Sequence, residues 1–500
     1  MTRPRSFHVA GLVAGIALLV ILLRAVQPAA ARWQPHEPDM EVYNRTLAST
    51  LPKQDVTALV SQAQTKGTVR VIVGLRVGFQ PEGKLANPRA LQTQRAAIER
   101  AQNTLLSMMS SHKIESVKRF AFIPYMAMEA DAAALNYLAS SAIVTSIRED
   151  KVRRPQLMES VPLIGAPAAW ASGSTGAGQT VAILDTGVDK THPFLVGKVI
   201  SEACFSTTSV ADGATSLCPG GVSQSTAPGS GLNCDTSSIP DCFHGTHVAG
   251  IAAGRDDGSI GFSGVAKDAW LVAIQIFSRF DGTAYCGAST PCVLAYDSDI
   301  LSGLQRVQTL SGGLNIAAAN LSLGGEAYTS SAACEAKYPE YRAAIDNLRS
   351  LGIATVIASG NEYYSSAIDA PACISTAISV GSTQDGSWWT TTDAVSSFSN
   401  SASFLSVLAP GETIYSSTPN GGYALSYGTS MATPHVTGAW AVLKSRAPGA
   451  SVTEILSALT TTGQPITDPR NGITKSRIQV DMAAATFPAL SHLYLPLILK

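Results

Sequence analysis

Charge is scarce in this 500-residue chain, where Asp, Glu, Lys and Arg make up 14% of residues against about 25% in a typical soluble protein. The totals also cancel, with 35 basic and 36 acidic residues giving a net charge of -1. No excess of positive charge is available for a phosphate backbone, which argues against a nucleic-acid partner. Cysteine is missing from the first 200 residues, and the eight at 204, 218, 234, 242, 286, 292, 334 and 373 contain no CxxC pair, which argues against a cysteine-based metal site. Beyond the N-terminus no apolar run reaches the roughly 18 to 20 residues that cross a bilayer. Hydrophobic residues, by contrast, make up 45% of the chain. That is enough to bury cores, so disordered and collagen-like polymers are excluded.

The near-zero net charge hides a division. Met1 to Arg154 holds 20 basic and 11 acidic residues, net +9, whereas Pro155 to Lys500 holds 15 and 25, net -10. At the start, Arg3 and Arg5 precede a 15-residue apolar run from Val9 to Leu23, and Ala29-Ala30-Ala31 supplies small residues; residues 1–31 therefore read as a cleaved signal peptide and the protein as secreted. Arg24 closes the run before it reaches the length of a membrane anchor. In an exported chain an even number of cysteines reads as disulfides. Cys286 and Cys292 are the expected local pair, and the four from Cys204 to Cys242 are expected to pair among themselves.

Residues 32–67 are polar and proline-dotted and read as a linker. Then Thr68–Leu75 alternates as a strand, Leu91–Ser110 has helical spacing, Val117–Met128 reads as a strand pair, Asp131 opens a short helix and Ala142–Ile147 makes a last strand. This order predicts a small α+β ferredoxin-like domain over 68–154. Across 155–481, short apolar runs at Val181–Leu184, Trp270–Ile276, Ile316–Leu323, Ala354–Ala358 and Thr376–Val380 alternate with helical stretches such as Asp299–Thr309 and Ala343–Leu351. They predict an α/β, doubly wound, mostly parallel sheet, whose ligands bind beyond the carboxyl ends of the strands. Residues 482–500, ending HLYLPLILK, form a tail of no readable role.

Four segments carry chemistry. Asp185 ends the run VAIL in VAILDTGVD. Asp-Thr-Gly after a strand also suggests an aspartic protease, but two carboxylates must then share a proton, and the absence of a second DTG or DSG would demand a homodimer. A turn-capping aspartate is the plain structural alternative. His244 and His247 lie in HGTHVAG, which lacks the glutamate of the HExxH metal motif; either can equally be a satisfied structural histidine. Ser430 opens the small-residue stretch GTSMATPHVTGAWAVL. Unpaired N–H groups at a helix start favour an oxyanion forming beside such a serine, although an ordinary N-cap is the simpler reading. Asn361, in TVIASGNE, follows a strand, where its amide can donate to the same oxyanion or close a turn.

In the order Asp, His, Asn, Ser these segments, together with ANLSLGG, resemble the motifs of the subtilisin-like serine peptidases over about residues 160–480. The resemblance implies a secreted serine endopeptidase working through an acyl-enzyme, with Ser430 as nucleophile, His244 as general base and Asp185 orienting the imidazole. Asn361 and the Ser430 N–H would form the oxyanion hole, and Ser322, Leu323 and Gly324 the strand that pairs with substrate backbone. His247 and His435 match non-catalytic positions. The small domain resembles the inhibitor-type propeptide of that family, which assists folding, lays its C-terminal tail in the cleft and is cleaved off, here between about Asp150 and Ser160. The implied partners are protein or peptide substrates and the chain's own propeptide, with no membrane insertion and a monomeric state.

No cofactor is implied for catalysis. Structural calcium, which the family often binds through an aspartate in HPDL, is put in doubt by His192-Pro193-Phe194-Leu195; Asp256 and Asp257 can bind a cation in another way, with solvated loop acids as the simpler reading. The stretch between Asp185 and His244 is longer than usual for the family and holds four cysteines, so a disulfide-pinned loop near the cleft is expected to narrow substrate choice. Two other functions share the motifs: a dedicated processing protease with few targets, and an inactive binding protein of the same fold.

Overall fold

The computed structural model describes residues 56–150, the backbone of 152–155, and residues 160–258, 260–387 and 390–488. The expected signal peptide, most of the expected linker, residues 156–159 and the end of the C-terminal tail lie outside the described residues.

The small domain comprises α1 (Thr57–Lys66), β1 (Val69–Leu75), α2 (Pro88–Met108), β2 (Ile114–Arg119), β3 (Tyr125–Ala130), α3 (Ala132–Ser140) and β4 (Val144–Glu149). Its antiparallel sheet has the order β2-β3-β1-β4, the ferredoxin-like arrangement expected. Side-chain caps start both crossing helices: Asn87 accepts from the Ala90 N–H ahead of α2, and Asp131 from the Ala134 N–H ahead of α3. Residues 57–66, assigned to the linker from sequence, instead form α1. Only one of its ten residues, Ala63, is buried, so the apolar period that would reveal a helix is nearly absent.

β1 buries both faces, and its alternation explains why. Val69, Val71, Val73 and Leu75 point into the domain's own core. Ile72 joins Phe79, Phe120, Ile123, Tyr125 and Ala127 in a second core shared with Leu301, Leu304, Tyr341, Ile345 and Leu348 of the larger part. The outer face of the small sheet therefore rests on two helices, α5 (Asp297–Leu310) and α6 (Pro339–Ser350).

The larger part is built on ten strands, in the order Gln464–Thr467, Thr474–Arg477, Val407–Glu412, Ile378–Gln384, Ala354–Ala358, Ile316–Leu321, Thr180–Asp185, Trp270–Gln275, Val199–Phe205 and Gln224–Ser225. The run from Thr474–Arg477 to Val199–Phe205 is parallel throughout, and the two outermost strands are antiparallel. Two further helices matter for the site, α4 (His244–Ala253) and α7 (Thr429–Arg446). They pack closely because Gly438 brings α7 to the backbone of α4: a Cβ there would sit 2.6 Å from the Ala252 carbonyl oxygen.

The strand expected over Ile316–Leu323 breaks at Ser322. Ile316–Leu321 stays in the main sheet, while Leu323–Gly324 joins a second, five-stranded sheet. The disulfides are Cys204–Cys218, Cys234–Cys242, Cys286–Cys292 and Cys334–Cys373; the first three satisfy the expected pairings. Among the described residues no helix is long and apolar enough to cross a membrane.

Candidate active site

Three neighbouring parallel strands end at one place. Asp185 is the last residue of Thr180–Asp185, Ser322 directly follows Ile316–Leu321, and Asn361 lies three residues beyond Ala354–Ala358. The N-termini of α4 and α7 add His244 and Ser430. This is the carboxyl-end site that a parallel sheet predicts.

His244 Nδ1 bonds Asp185 Oδ1 at 2.7 Å, with both side chains almost wholly buried. The same Asp185 oxygen accepts from the Thr186 N–H at 2.7 Å, while Oδ2 is buried with no hydrogen-bond partner among the described residues. Thr186 Oγ1 in turn accepts from the Gly245 N–H at 2.9 Å. A Cβ at position 245 would collide with the Gly187 carbonyl oxygen, so glycine there lets α4 start against the Asp185 turn.

Ser430 is the second residue of α7, so its N–H is one of the helix-start donors without an intrahelical acceptor. Its Oγ donates to the Ser322 carbonyl oxygen at 3.1 Å. Asn361 Oδ1 accepts from the Thr429 N–H at 2.8 Å. Because an N–H can be met only by the amide oxygen, this bond also fixes the orientation of the Asn361 NH2 group.

Several positioning residues escaped the sequence reading. Thr437 Oγ1 donates to Asn320 Oδ1, Asn320 Nδ2 to Ser322 Oγ, and Ser322 Oγ to the Ser430 carbonyl oxygen, at 2.9, 2.9 and 2.6 Å. This chain of bonds ties α7 to the Ser322 turn. The available signal was Asn320 itself, an amide within the buried strand IAAANL. Asn400 likewise holds the Asn361 loop, its Oδ1 accepting from the N–H groups of Glu362 and Tyr364. His247 and His435 are pushed down to about 3 and about 4, above all by burial, so both are neutral near pH 7. Each spends a ring nitrogen on a backbone carbonyl, of Ala424 and Met431 respectively.

The segment β5 (Val152–Pro155) lies as a middle strand in the second sheet. On one side Pro155 and Arg154 pair antiparallel with Leu323 and Gly324; on the other Arg153 and Val152 pair with Ala295 and Tyr296. The wall expected at Ser322–Gly324 is therefore only half of a two-sided slot. The second half, Cys292–Tyr296, continues through Ser278–Phe280 to Ala214–Ser216, which lies in the loop closed by Cys204–Cys218. The cysteine-rich insertion thus braces the slot from outside.

The residues present do not suit the family's calcium site. Phe194 occupies the ligand position of the HPDL pattern, and its ring packs against Phe262 and Tyr423 with centroids 5.2 and 5.8 Å away. Asp256 spends its carboxylate on the N–H groups of Gly258, Ile260 and Gly261. Among the described residues no group of three or more His, Cys, Asp or Glu is placed to hold a metal.

A doubly wound sheet with this arrangement at its strand ends defines a class, and the chain belongs to it: residues 176–479 match the subtilase family of peptidases, and the protein is a serine-type endopeptidase. It is 33% identical over 362 residues, 72% of this chain and 79% of the other, to the alkaline protease of Alkalihalobacillus alcalophilus. With subtilisin E of Bacillus subtilis it shares 31% over 371 residues, 71% of this chain and 82% of that protein. The major intracellular serine protease of B. subtilis is 31% identical over 299 residues, 58% and 76% of the two chains.

Proposed function

We propose that the protein is a secreted endopeptidase made as a self-processing precursor, with Asp185, His244 and Ser430 as its triad. Ser430 Oγ attacks the substrate carbonyl carbon as its proton passes to His244 Nε2, and Asp185 keeps the ring oriented and stabilises its positive charge. The resulting oxyanion accepts from Asn361 Nδ2 and the Ser430 N–H. Collapse breaks the C–N bond, His244 protonates the leaving amine, and water releases the acyl group by the same steps in reverse roles. Leu323, Gly324, Ala295 and Tyr296 hold the substrate backbone on both sides.

The observation that carries the reading is the 2.7 Å Asp185–His244 bond beside a serine at a helix start. Self-processing is supported by β5, which lies along the slot as a substrate strand would, and by Ser160, whose N–H donates to His435 Nε2 on α7. Pro155 and Ser160 bracket the bond to be cut. The four disulfides and the N-terminal apolar run suit export. The test is Ser430→Ala in the full chain: it leaves an uncut precursor without peptidase activity, while the parent protein yields a mature N-terminus between residues 156 and 160. A Ser430→Ala protein that matures in isolation refutes self-processing, and one that still hydrolyses peptides refutes the triad. Digestion of an unfolded protein mixture separates a broad degrader from a protease of few targets.

A further inference from the structure

Lys66, the last residue of α1, reaches across to the disulfide-closed insertion. Its Nζ lies 3.2 Å from Asp212 Oδ1 and donates to Tyr285 Oη at 2.8 Å, standing 5.2 Å from the centre of the Tyr285 ring. Asp212 also accepts from Tyr285 Oη at 2.7 Å, from Tyr296 Oη at 2.8 Å and from Ser209 Oγ at 3.1 Å. An ammonium group is thus received by a carboxylate, a phenol oxygen and an aromatic ring, the combination that suits a lysine side chain. Burial pushes the Asp212 carboxyl up, but the hydrogen bonds from Tyr285 and Tyr296 and the charge of Lys66 outweigh it and hold the group below the usual carboxylate range. At neutral pH it is an anion.

The receiving residues all belong to the peptidase part, and the occupant belongs to the part expected to leave. Tyr296 connects the group to the slot, because its backbone pairs with Val152 at the end of β5 far from Ser430. We propose that Asp212, Tyr285 and Tyr296 form a subsite for a basic substrate side chain, filled by Lys66 in the precursor and opened when the small domain departs. The subsite deepens the proposed endopeptidase reading and rests on it. A residue four to eight positions before the cut bond lies at this end of the slot, so the preference acts there.

The test uses mature enzyme produced from the full chain and peptides that differ only in lysine, norleucine or glutamate at each of those five positions. At one position lysine raises kcat/KM about tenfold, as expected for a charge-assisted hydrogen bond. The ratio falls toward one in Asp212→Asn, is intermediate in Tyr285→Phe, and inverts in favour of glutamate in Asp212→Lys, a gain that a merely misfolded insertion cannot produce. Equal hydrolysis of the lysine and norleucine peptides at all five positions, or a lysine preference that survives Asp212→Asn, overturns the subsite while leaving the peptidase reading intact. Hydrolysis that persists in Ser430→Ala strikes at that reading instead.

Discussion

The firmest quantitative test concerns Arg148. At the end of β4 its guanidinium lies between Asp297, 2.6 Å from Nη1, and Glu340, with all three side chains 3% exposed or less. Tyr341 Oη donates to the other Asp297 oxygen at 2.7 Å, and the Tyr338 ring covers the guanidinium at 4.8 Å. Arg148→Ala removes the Arg148 charge from beside two buried carboxylates whenever the small domain is docked, yet does nothing to them once it has left. Losing one partner of a buried ion pair costs about 3–5 kcal/mol. Proton uptake limits the penalty: from the ordinary Glu value of 4.5, neutralising one carboxyl at pH 7 costs about 1.4 kcal/mol per pH unit, or about 3.5 kcal/mol. A loss near 3 kcal/mol raises the inhibition constant of the added small domain on mature enzyme roughly hundredfold. Burial already pushes Glu340 up, even against the pull of Arg148. A group with a raised value in the complex stabilises it fully below its ordinary value and loses that stabilisation as pH rises. Inhibition by the variant should therefore recover as pH falls from 7 toward 5, by up to about tenfold per unit. The assay is steady-state inhibition across that range, with the variant's fold checked by circular dichroism. A constant within threefold of the parent's, or one that ignores pH, refutes the reasoning.

Three other outcomes follow from the same structure. Asn361→Ala should lower kcat with little change in KM, by the order of 10²–10³-fold that removal of an oxyanion-hole amide costs in subtilisin. Lys66, Lys118 and Arg148 meet Asp212, Asp299 and the Asp297–Glu340 pair across the interface, so raising salt from 0.05 to 0.5 M should slow association of the small domain in stopped-flow mixing; a salt-independent rate rules out steering. Replacing Cys334 and Cys373 by alanine opens the longest disulfide loop, 39 residues apart in sequence, and should cost about 4 kcal/mol of unfolding free energy in guanidinium titrations of a Ser430→Ala background.

What the sequence revealed and what it hid divide along the range of the interactions. The proposed site residues Asp185, His244, Asn361 and Ser430 could be picked out because each sits in a short segment whose letters serve local needs, such as the Gly245 contact and the start of α7. Leu323 and Gly324 were legible for the same reason. The opposite wall was not, since Ala295 and Tyr296 acquire meaning only by pairing with β5. Val407–Glu412 escaped as a strand because Pro410-Gly411 reads as a turn. β1 was recognised as a strand, but nothing in TVRVIVGL says that Ile72 faces a second core while its neighbours face the first. Lys66 was hidden most completely, on a helix whose composition resembles a linker.

The charge division of the sequence also takes a physical form at the interface. Buried ion pairs roughly break even against their desolvation, so the affinity of the small domain rests on its apolar face, Ile72, Phe79, Phe120, Ile123 and Tyr125. The pairs then serve placement. Asp150 illustrates this, held by Arg70 Nε at 3.1 Å while its Oδ1 accepts from the Ser298 N–H at 2.5 Å. Ser298 opens α5 two residues after Tyr296, and Val152 pairs with Tyr296 two residues after Asp150. One hydrogen bond therefore anchors both segments at the end of the paired strands far from Ser430, and a slip of one residue along the slot would break it. Asp150→Ala should loosen that register, giving two or more mature N-termini by mass spectrometry where the parent gives one. A single unchanged N-terminus would mean that pairing along Val152–Pro155 alone sets the cut.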